Sequence, residues 1–221
     1  MASTNYKLLI FDWDGTLIDS EQSIVSCMQA SILDVGNSYA DIGTRTDAQI
    51  RHIIGLGLYE ALEVLFPKQT DRIYAELIDR YRAHFFKAEP SRAFPQVEAT
   101  LIQLQDAGFL MAVATGKGRR GLDLAMQQAK FDHFFVASRC ADETQSKPHP
   151  QMLQELLAQL DLEPNQALMI GDTSYDLDMA TKANIDSVAV CTGVHDKTRL
   201  LQCHPTACLE AVPKLVDWLE I

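Results

Sequence analysis

The segment "KLLIFDWDGT", residues 7–16, ends an apolar run on two aspartates separated by one residue. Asp12 and Asp14 are like charges at the point where a buried strand should stop, and bringing them close together is costly. Carboxylates in such a pair can attack a substrate, transfer a proton or help to hold a cation. The pair is therefore the first candidate for a catalytic site.

Three further segments place polar side chains after an apolar run or in a loop before a helix. Thr115 follows the run in "AVATGKG", and Lys147 lies in the loop "SKPHP". Asp172 follows the run in "LMIGDTSYD", with Asp176 one helical turn later. In open α/β sheets, ligands bind outside the carboxyl ends of the strands. The sequence therefore predicts that these groups meet the aspartate pair at one edge of a sheet.

A shared cation would make the closeness of the carboxylates tolerable. Three carboxylates repel one another strongly unless a divalent cation lies among them, and oxygen ligands suit Mg²⁺. Gly15 permits a sharp turn after the aspartate pair. Thr16 is predicted to cap the following helix and to donate a hydrogen bond to Asp12. We therefore expect a site that depends on Mg²⁺.

The same edge offers groups that attract an anion. Thr115, with the backbone amides of Gly116 and Lys117 at the start of a helix, predicts an anion cradle. Lys147 adds a point charge suited to phosphate. Together with a cation, these groups would offset the negative charge of the protein where a phosphoryl group lies. We expect Thr115 and Lys147 to stabilise charge on a transferring phosphoryl group.

The elements that must position these groups alternate between short apolar runs and helical periodicity. Between the runs, apolar residues recur at the three- and four-residue spacing of amphipathic helices. Continuous apolar strands alternating with helices predict a doubly wound parallel α/β sheet covered on both faces. The runs that predict strands are 6–11, 109–114, 134–137, 167–170 and 187–191, with a weaker one at 206–209.

A long insert separates the first two predicted strands. Its length of about 90 residues is far beyond that of an ordinary crossover. Within it, helical spacing recurs four times between glycine and proline breakers, and no strand pattern is evident. We therefore expect a small helical-bundle cap at 18–91, inserted into a core formed by 1–17 and 92–221.

Composition argues against several classes of protein. The 221 residues carry a net charge of −11, and their basic residues form no stripe, which argues against nucleic acid or an anionic membrane surface as a partner. No apolar stretch has the length of a membrane span or a secretory leader. The five cysteines form no CxxC pair, so we expect reduced thiols in a cytoplasmic protein. We expect a monomer or a homodimer.

The segments "DWDGT", "VATGK", "SKPHP" and "GDTSYD" follow one another in the chain. In this order they resemble the motifs of the haloacid dehalogenase superfamily, and within it the phosphoglycolate phosphatase-like group with a helical cap. The resemblance implies that Asp12 is the nucleophile that forms an aspartyl-phosphate and that Asp14 is the general acid and base. It also implies that the Asp12 side chain, the Asp14 backbone carbonyl and Asp172 hold Mg²⁺, with Asp176 behind them.

The resemblance further implies hydrolysis of a small phosphorylated metabolite, a monoester such as phosphoglycolate. Two alternatives remain open. A phosphomutase of the β-phosphoglucomutase type would share every core residue. A phosphoacceptor signalling domain also gathers acids, a threonine and a lysine at strand ends, although it would lack the helical insert.

Specificity is expected in the cap, because the core recognises only the phosphoryl group. The cap loop "IIGLGLYE" has two glycines that let the backbone approach a ligand, and Arg45 or Arg51 could contact a carboxylate. In the core, Gly116 stands where the phosphoglycolate phosphatase-like group commonly has Asn. This difference removes a side chain that could contact the substrate.

Overall fold

A computed structural model describes residues 6–39 and 41–221 of the chain. The strands are β1 (Leu8–Phe11), β2 (Ile18–Asp19), β3 (Arg92–Ala93), β4 (Leu110–Thr115), β5 (Ala137–Cys140), β6 (Ala167–Gly171), β7 (Asp186–Val190) and β8 (Ala207–Leu209). The helices are α1 (Glu21–Gly36), α2 (Asp47–His52), α3 (Leu58–Leu65), α4 (Asp71–Phe85), α5 (Val97–Asp106), α6 (Arg119–Ala129), α7 (Gln151–Leu160), α8 (Ser174–Lys182), α9 (Lys197–Gln202) and α10 (Lys214–Leu219). Within these described residues, no helix combines the length and the apolar character needed to cross a bilayer.

Six strands form one parallel sheet in the order β5-β4-β1-β6-β7-β8, which confirms the predicted α/β architecture. β1 lies between β4 and β6, and Leu8 is in register with both Leu110 and Ala167. Because these three neighbouring strands start level, their carboxyl ends also lie side by side. Five of the six predicted strands agree with the structure within one or two residues at each end.

The predicted strand at 134–137 is wrong by three residues. Asp132–Phe134 forms a 3₁₀ turn, and the strand runs over Ala137–Cys140. β5 is an edge strand that pairs only with β4, so Ser138 stays partly exposed and the strand is not an apolar run. Phe134 instead packs into the core from the turn. The sequence argument assigned Phe134 to a strand because its side chain is apolar, and this placed the strand three residues too early.

Both faces of the sheet are buried, which explains why its central strands read as continuous apolar runs. In β1, Leu9 and Phe11 belong to one apolar cluster with residues of α5, α6 and α10. Leu8 and Ile10 belong to a second cluster with residues of α7 and α8. The alternation of side chains along the strand thus builds two cores, and it anchors the residues that follow the strand.

The helices α1 to α4 form the inserted cap and have an apolar cluster of their own. Met28 of α1, Ile50 of α2, Leu62 of α3 and Leu77 of α4 are almost completely buried in it. The four predicted helical segments are therefore confirmed. Their amphipathic faces pack against one another rather than onto the sheet.

A two-stranded ladder lies where the chain enters and leaves the cap. β2 pairs antiparallel with β3, with Ile18 opposite Ala93. The sequence predicted no strand in the insert, because strands of two residues have no detectable periodicity. The ladder ties the two crossings together. We propose the domain boundary there, with 18–91 as the cap and with 1–17 and 92–221 as the core.

The loop between α2 and α3 brings the cap against the core. The amide of Gly57 in this loop donates a 2.6 Å hydrogen bond to the hydroxyl of Ser146 in the core. The hydroxyl of Tyr175 at the start of α8 donates to the backbone carbonyl of His52 at 2.9 Å. Cap and core therefore meet through specific polar contacts.

The close approach of this loop predicts that Gly116→Ala disrupts the contact between cap and core. A Cβ atom at Gly116 would lie 2.5 Å from the Leu56 carbonyl oxygen and 2.7 Å from the Gly55 carbonyl oxygen, so the backbone must shift. We expect the free energy of unfolding to fall by about 1–3 kcal/mol, as for other overpacked sites, measured by chemical denaturation. Gly43→Ala is the matched control, because only the flexible tip of Arg45 lies nearby. Equal losses in the two variants would contradict the prediction.

Candidate active site

Three polar residues follow neighbouring strands at the carboxyl edge of the sheet. Asp12 comes directly after β1, Thr115 is the last residue of β4, and Asp172 comes directly after β6. The Asp12 amide donates to the Ile170 carbonyl of β6 at 2.9 Å, which fixes its backbone beside that strand. All three polar residues are buried. The structure therefore places them at the edge that the sequence predicted.

Four charged side chains converge at this edge. One carboxylate oxygen from each of Asp12, Asp172 and Asp176 lies within 4.8 Å of the others. The Lys147 ammonium lies 2.7 Å from Asp12 Oδ1 and 2.6 Å from Asp176 Oδ1. All four residues are at most 1% exposed, so water does not screen their interactions. We call these four residues the charged cluster.

Burial makes the ionised carboxylates of the charged cluster costly. It raises the pKa of Asp12 to about 7, against the opposing effect of the Lys147 ammonium. It also raises the pKa of Asp172, an effect to which the charges of Asp12 and Asp176 add. Burial alone would lower the pKa of Lys147, but the carboxylates of Asp12 and Asp176 raise it above its ordinary value. Three acids share one lysine, so the cluster favours a further positive charge.

The donor set of the charged cluster fits a divalent cation. Within the described part of the chain, neither carboxylate oxygen of Asp12 accepts a hydrogen bond, although both are buried. The Lys147 ammonium lies 2.7 Å from Asp12 Oδ1, at the distance of an ion pair. Buried carboxylate oxygens are the ligands that Mg²⁺ prefers in proteins. A cation at this position would satisfy Asp12 and offset its repulsion from Asp172.

Both carboxylate oxygens of Asp176 accept hydrogen bonds from the protein. Its Oδ2 atom accepts hydrogen bonds from the Thr173 hydroxyl at 2.6 Å and from the Thr173 amide at 3.1 Å. Its Oδ1 atom accepts a hydrogen bond from the Lys147 ammonium. Asp176 therefore orients Lys147. The position of Asp176 behind the residues that hold the cation stays a prediction.

Asp14 lines the cavity between cap and core. Its Oδ2 atom lies 2.9 Å from Lys117 Nζ, and its Oδ1 atom accepts a 2.5 Å hydrogen bond from the Ser20 hydroxyl. The sequence argument assigned a role only to the backbone of Lys117 and missed this ion pair. No spacing in the sequence reveals which carboxylate a long, flexible lysine side chain will reach.

The prediction for Thr16 is wrong in both of its parts. Its hydroxyl donates a 2.8 Å hydrogen bond to Asp172 rather than to Asp12. Helix α1 begins only after Ser20, so Thr16 comes too early to cap it. The cause is the turn at Gly15, where a φ of +79° reverses the chain and a Cβ atom would overlap the Asp172 carboxylate. The turn packs directly against the neighbouring strand end and carries Thr16 there.

The predicted anion cradle is partly occupied by the protein itself. The Lys117 amide donates a 3.2 Å hydrogen bond to Thr115 Oγ1, and helix α6 begins at Arg119. A hydroxyl that accepts one hydrogen bond can still donate another. The Thr115 hydroxyl therefore keeps its proton available at the edge of the sheet. That the amides of Gly116 and Lys117 bind an anion stays a prediction.

A loop after β7, residues 191–195, makes contacts that the sequence argument missed. The Thr192 hydroxyl donates to the Gly15 carbonyl at 2.7 Å. The Val194 amide donates to Asp172 Oδ2 at 3.2 Å. The loop thus holds both the turn after β1 and the carboxylate after β6. Its position after a strand of the same sheet was the signal that could have identified it.

A cavity of about 400 Å³ lies between the cap and the carboxyl edge of the core. Asp12 and Asp14 line it on the core side, and the cap loop "IIGLGLYE", residues 53–60, supplies part of the opposite wall. The cavity therefore connects a carboxylate of the charged cluster to the cap.

The two arginines expected to contact a substrate do not line this cavity. Arg45 donates to a backbone carbonyl within the cap, and Arg51 pairs with Glu21 of α1. Arg82 of α4 and Arg120 of α6 line the cavity instead. The sequence shows that these residues lie on helices, but only the packing of cap on core decides which of them face the cavity.

His195 is a buried histidine at the end of the loop after β7. Its Nδ1 atom accepts a 2.8 Å hydrogen bond from the Ser174 amide, and its Nε2 atom has no partner among the described residues. Burial lowers its pKa to about 4, and the positive charge of Arg199 adds to this effect. His195 is therefore held neutral at the start of the helix that carries Asp176.

The low pKa of His195 predicts a loss of stability in mild acid. An unfolded histidine binds a proton near pH 6.5, whereas folded His195 stays neutral until about pH 4. The neutral side chain contributes fully to the free energy of unfolding above about pH 6.5. This contribution is lost as the pH falls from about 6.5 to about 4, by at most about 1.4 kcal/mol per pH unit. His195→Asn, which keeps an acceptor for the Ser174 amide, should show a shallower loss in chemical denaturation at pH 4.5 to 7. His133→Asn, at an exposed histidine, should match the wild type; identical slopes in all three proteins would contradict the prediction.

The chain is similar to known proteins along nearly its whole length. It is 30% identical over 224 residues to a phosphoglycolate phosphatase of Psychrobacter arcticus, which covers 96% of this chain and 95% of that relative. It is 27% identical over 220 residues to the pyrophosphatase PpaX of Anoxybacillus flavithermus, which covers 98% of each. A solved structure, a haloacid dehalogenase-like family hydrolase of Streptococcus pneumoniae, has a TM-score of 0.83 at 22% identity and covers 97% of this chain and 99% of that one. The sequence profile described as haloacid dehalogenase-like hydrolase matches residues 9–190, so the protein belongs to that family.

Proposed function

We propose that the protein hydrolyses phosphate monoesters with the help of Mg²⁺ and that Asp12 is the nucleophile. The observation that carries this proposal is the Asp12 carboxylate. It is buried, accepts no hydrogen bond from the described residues, lies 2.7 Å from the Lys147 ammonium and lines the cavity. A carboxylate in the wall of a cavity can reach the phosphorus atom of a bound ester and attack it. An adjacent ammonium is suited to hold the phosphoryl oxygens.

Lys147 and Thr115 act on the phosphoryl group in this proposal. Phosphoryl transfer depends on positioning and on the stabilisation of negative charge at the transferring oxygens. Asp176 fixes the ammonium of Lys147 through a 2.6 Å hydrogen bond, so the charge of Lys147 is oriented before a substrate binds. The Thr115 hydroxyl donates to a second phosphoryl oxygen.

Asp14 is the proton carrier in this proposal. It protonates the leaving oxygen when Asp12 attacks phosphorus, and it then removes a proton from the water that hydrolyses the aspartyl-phosphate. Support comes from its place in the wall of the same cavity and from two contacts that fix its carboxylate, with Lys117 and Ser20. A carboxyl group held in this position can give its proton to the leaving oxygen and, once ionised, accept a proton from water.

Asp12, Asp172 and the backbone carbonyl of Asp14 are the proposed Mg²⁺ ligands. When bound, Mg²⁺ would offset negative charge on the phosphoryl oxygens and between the carboxylates. The raised pKa of Asp172 supports this assignment, because the site as it stands has too much negative charge for its burial. Thr16 and Val194 orient the two oxygens of Asp172 for this task.

The sequence argument favoured a small substrate of the phosphoglycolate type. Among the similar proteins, one is named a phosphoglycolate phosphatase and another a pyrophosphatase. We propose both compounds as the first candidates to be assayed. The assay should also detect transfer to a second hydroxyl of a sugar phosphate, which would reveal a phosphomutase.

Replacing the nucleophile tests the proposed reaction. Purified protein with Mg²⁺ should release 4-nitrophenol from 4-nitrophenyl phosphate over many turnovers. Asp12→Asn should lower kcat by at least about a thousandfold while the fold survives, because its amide cannot attack phosphorus. Asp19→Asn, at an exposed aspartate of β2, is the control and should keep the wild-type rate. Labelling that stops at one phosphoryl group per chain would instead indicate a signalling switch, and a rate near wild type in Asp12→Asn would remove Asp12 as the nucleophile.

Thermal unfolding tests the proposed cation ligand separately from the reaction. Mg²⁺ should raise the Tm of the wild-type protein, by about 2–4 °C for each kcal/mol of binding energy, and a chelator should reverse the shift. Asp172→Asn should lose most of the shift, because an amide is a weaker ligand than a carboxylate. Asp178→Asn, at an exposed position of the same helix as Asp176, should retain it. A full shift in Asp172→Asn would show that Asp172 does not hold the cation.

A further inference from the structure

The cap side of the cavity is built mainly from apolar side chains. They come from α1, from the loop before α3, from α3 and from α4. Phosphoglycolate has a single methylene group and pyrophosphate has none, so such a wall could bury little apolar surface of either compound. Of the residues in this wall, Leu58 and Ile78 are partly exposed, whereas Ile24, Met28, Ile53 and Ile54 are at most 8% exposed.

Aromatic rings extend this wall along α4. The rings of Tyr81 and Phe85 stack with their centroids 6.2 Å apart and their planes 14° apart, and both residues line the cavity. Phe86 lines it as well. The Lys117 ammonium lies 4.6 Å from the centroid of the Phe85 ring, and the three aromatic residues together add apolar area to the wall.

The charged residues that line the cavity are four acids and three bases, so the lining carries no excess of positive charge to attract a second anion. Lys117, which lines the cavity, is already paired with Asp14 at 2.9 Å. Arg82 and Arg120 are exposed, and the Arg120 guanidinium lies over the Phe86 ring at 4.4 Å. The basic residues of the lining are Lys117, Arg82 and Arg120. The acidic residues of the lining are Asp12, Asp14, Glu60 and Asp142.

We propose that the preferred substrate is a phosphate monoester whose leaving group is an uncharged, largely apolar body of ring size or larger. This inference rests on the proposed phosphatase function. The volume agrees with it: a cavity of about 150 Å³ can hold a benzene ring, and this one has about 400 Å³. The phosphoryl group lies at Asp12, and the apolar leaving group lies against α4 and the loop before α3.

The comparison that tests this inference uses primary alkyl phosphates, whose leaving oxygens are chemically alike. Burial of a phenyl group should raise kcat/KM for 3-phenylpropyl phosphate about tenfold to a hundredfold above that for ethyl phosphate. The kcat/KM for 3-phenylpropyl phosphate should also exceed the values for phosphoglycolate and pyrophosphate. Equal or higher kcat/KM for ethyl phosphate or phosphoglycolate would overturn the inference, and turnover of 4-nitrophenyl phosphate would show that the phosphatase function still holds.

Two variants on α4 locate the effect in the cavity. Ile78 and Ile73 both pack in the apolar cluster of the cap, but only Ile78 lines the cavity. Ile78→Ala should lower kcat/KM for 3-phenylpropyl phosphate three- to tenfold more than for ethyl phosphate. Ile73→Ala removes the same atoms from the cap and should leave the ratio of the two substrates unchanged. An equal change of the ratio in both variants would contradict the proposed position of the leaving group.

A binding measurement separates the two proposals from each other. Calorimetry with Asp12→Asn in Mg²⁺ requires no turnover, and it should show tighter binding of 3-phenylpropyl phosphate than of ethyl phosphate by about the same factor. If no phosphate ester is hydrolysed by the wild type but this preference is found, the phosphatase function fails and the apolar site stands. If binding shows no preference, the inference fails whatever the activity.

Discussion

The site depends on the two ion pairs that the buried Lys147 ammonium forms with the carboxylates of Asp12 and Asp176. At most 1% of either carboxylate residue or of the lysine is exposed, so neither acid could remain ionised there without a positive charge beside it. The lysine compensates for only one of the three acids in the charged cluster, because Asp172 shares the same space. The remaining negative charge of the cluster is what a divalent cation would stabilise. The charged cluster therefore favours a positive charge in addition to Lys147.

The sheet makes this arrangement possible because it holds each charged group at a fixed strand end. β1 and β6 are covered on both faces, so the backbone that precedes Asp12 and Asp172 is anchored by two apolar clusters. The turn at Gly15 and the loop after β7 then close around Asp172 with a hydroxyl and an amide. Burial of apolar side chains in the two cores offsets the cost of collecting like charges at the edge.

The charged cluster and the apolar wall of the cavity come from different parts of the chain. The core supplies the charged residues of the cluster, and the cap supplies most of the apolar wall of the cavity. They meet where glycine permits close approach, at Gly116 in the core and at Gly57 in the cap, whose amide donates to Ser146, the residue before Lys147. In the proposed reaction, the charged cluster of the core contacts the phosphoryl group and the apolar wall of the cap contacts the leaving group. The character of the wall therefore says more about the substrate than the core does.

The sequence by itself determined the sheet, the helical insert and the placement of Asp12, Thr115 and Asp172, because hydrophobic periodicity and the position of polar residues at strand ends are local properties. Only the tertiary structure decided which partners those residues have. Thr16 bonds Asp172 across neighbouring strands, Lys117 reaches Asp14, and the loop at 191–195 closes the site. Arg45 and Arg51 are used within the cap, while Arg82 and Arg120 face the cavity. These outcomes depend on the packing of distant elements and on the reach of flexible side chains, which no spacing along the chain specifies.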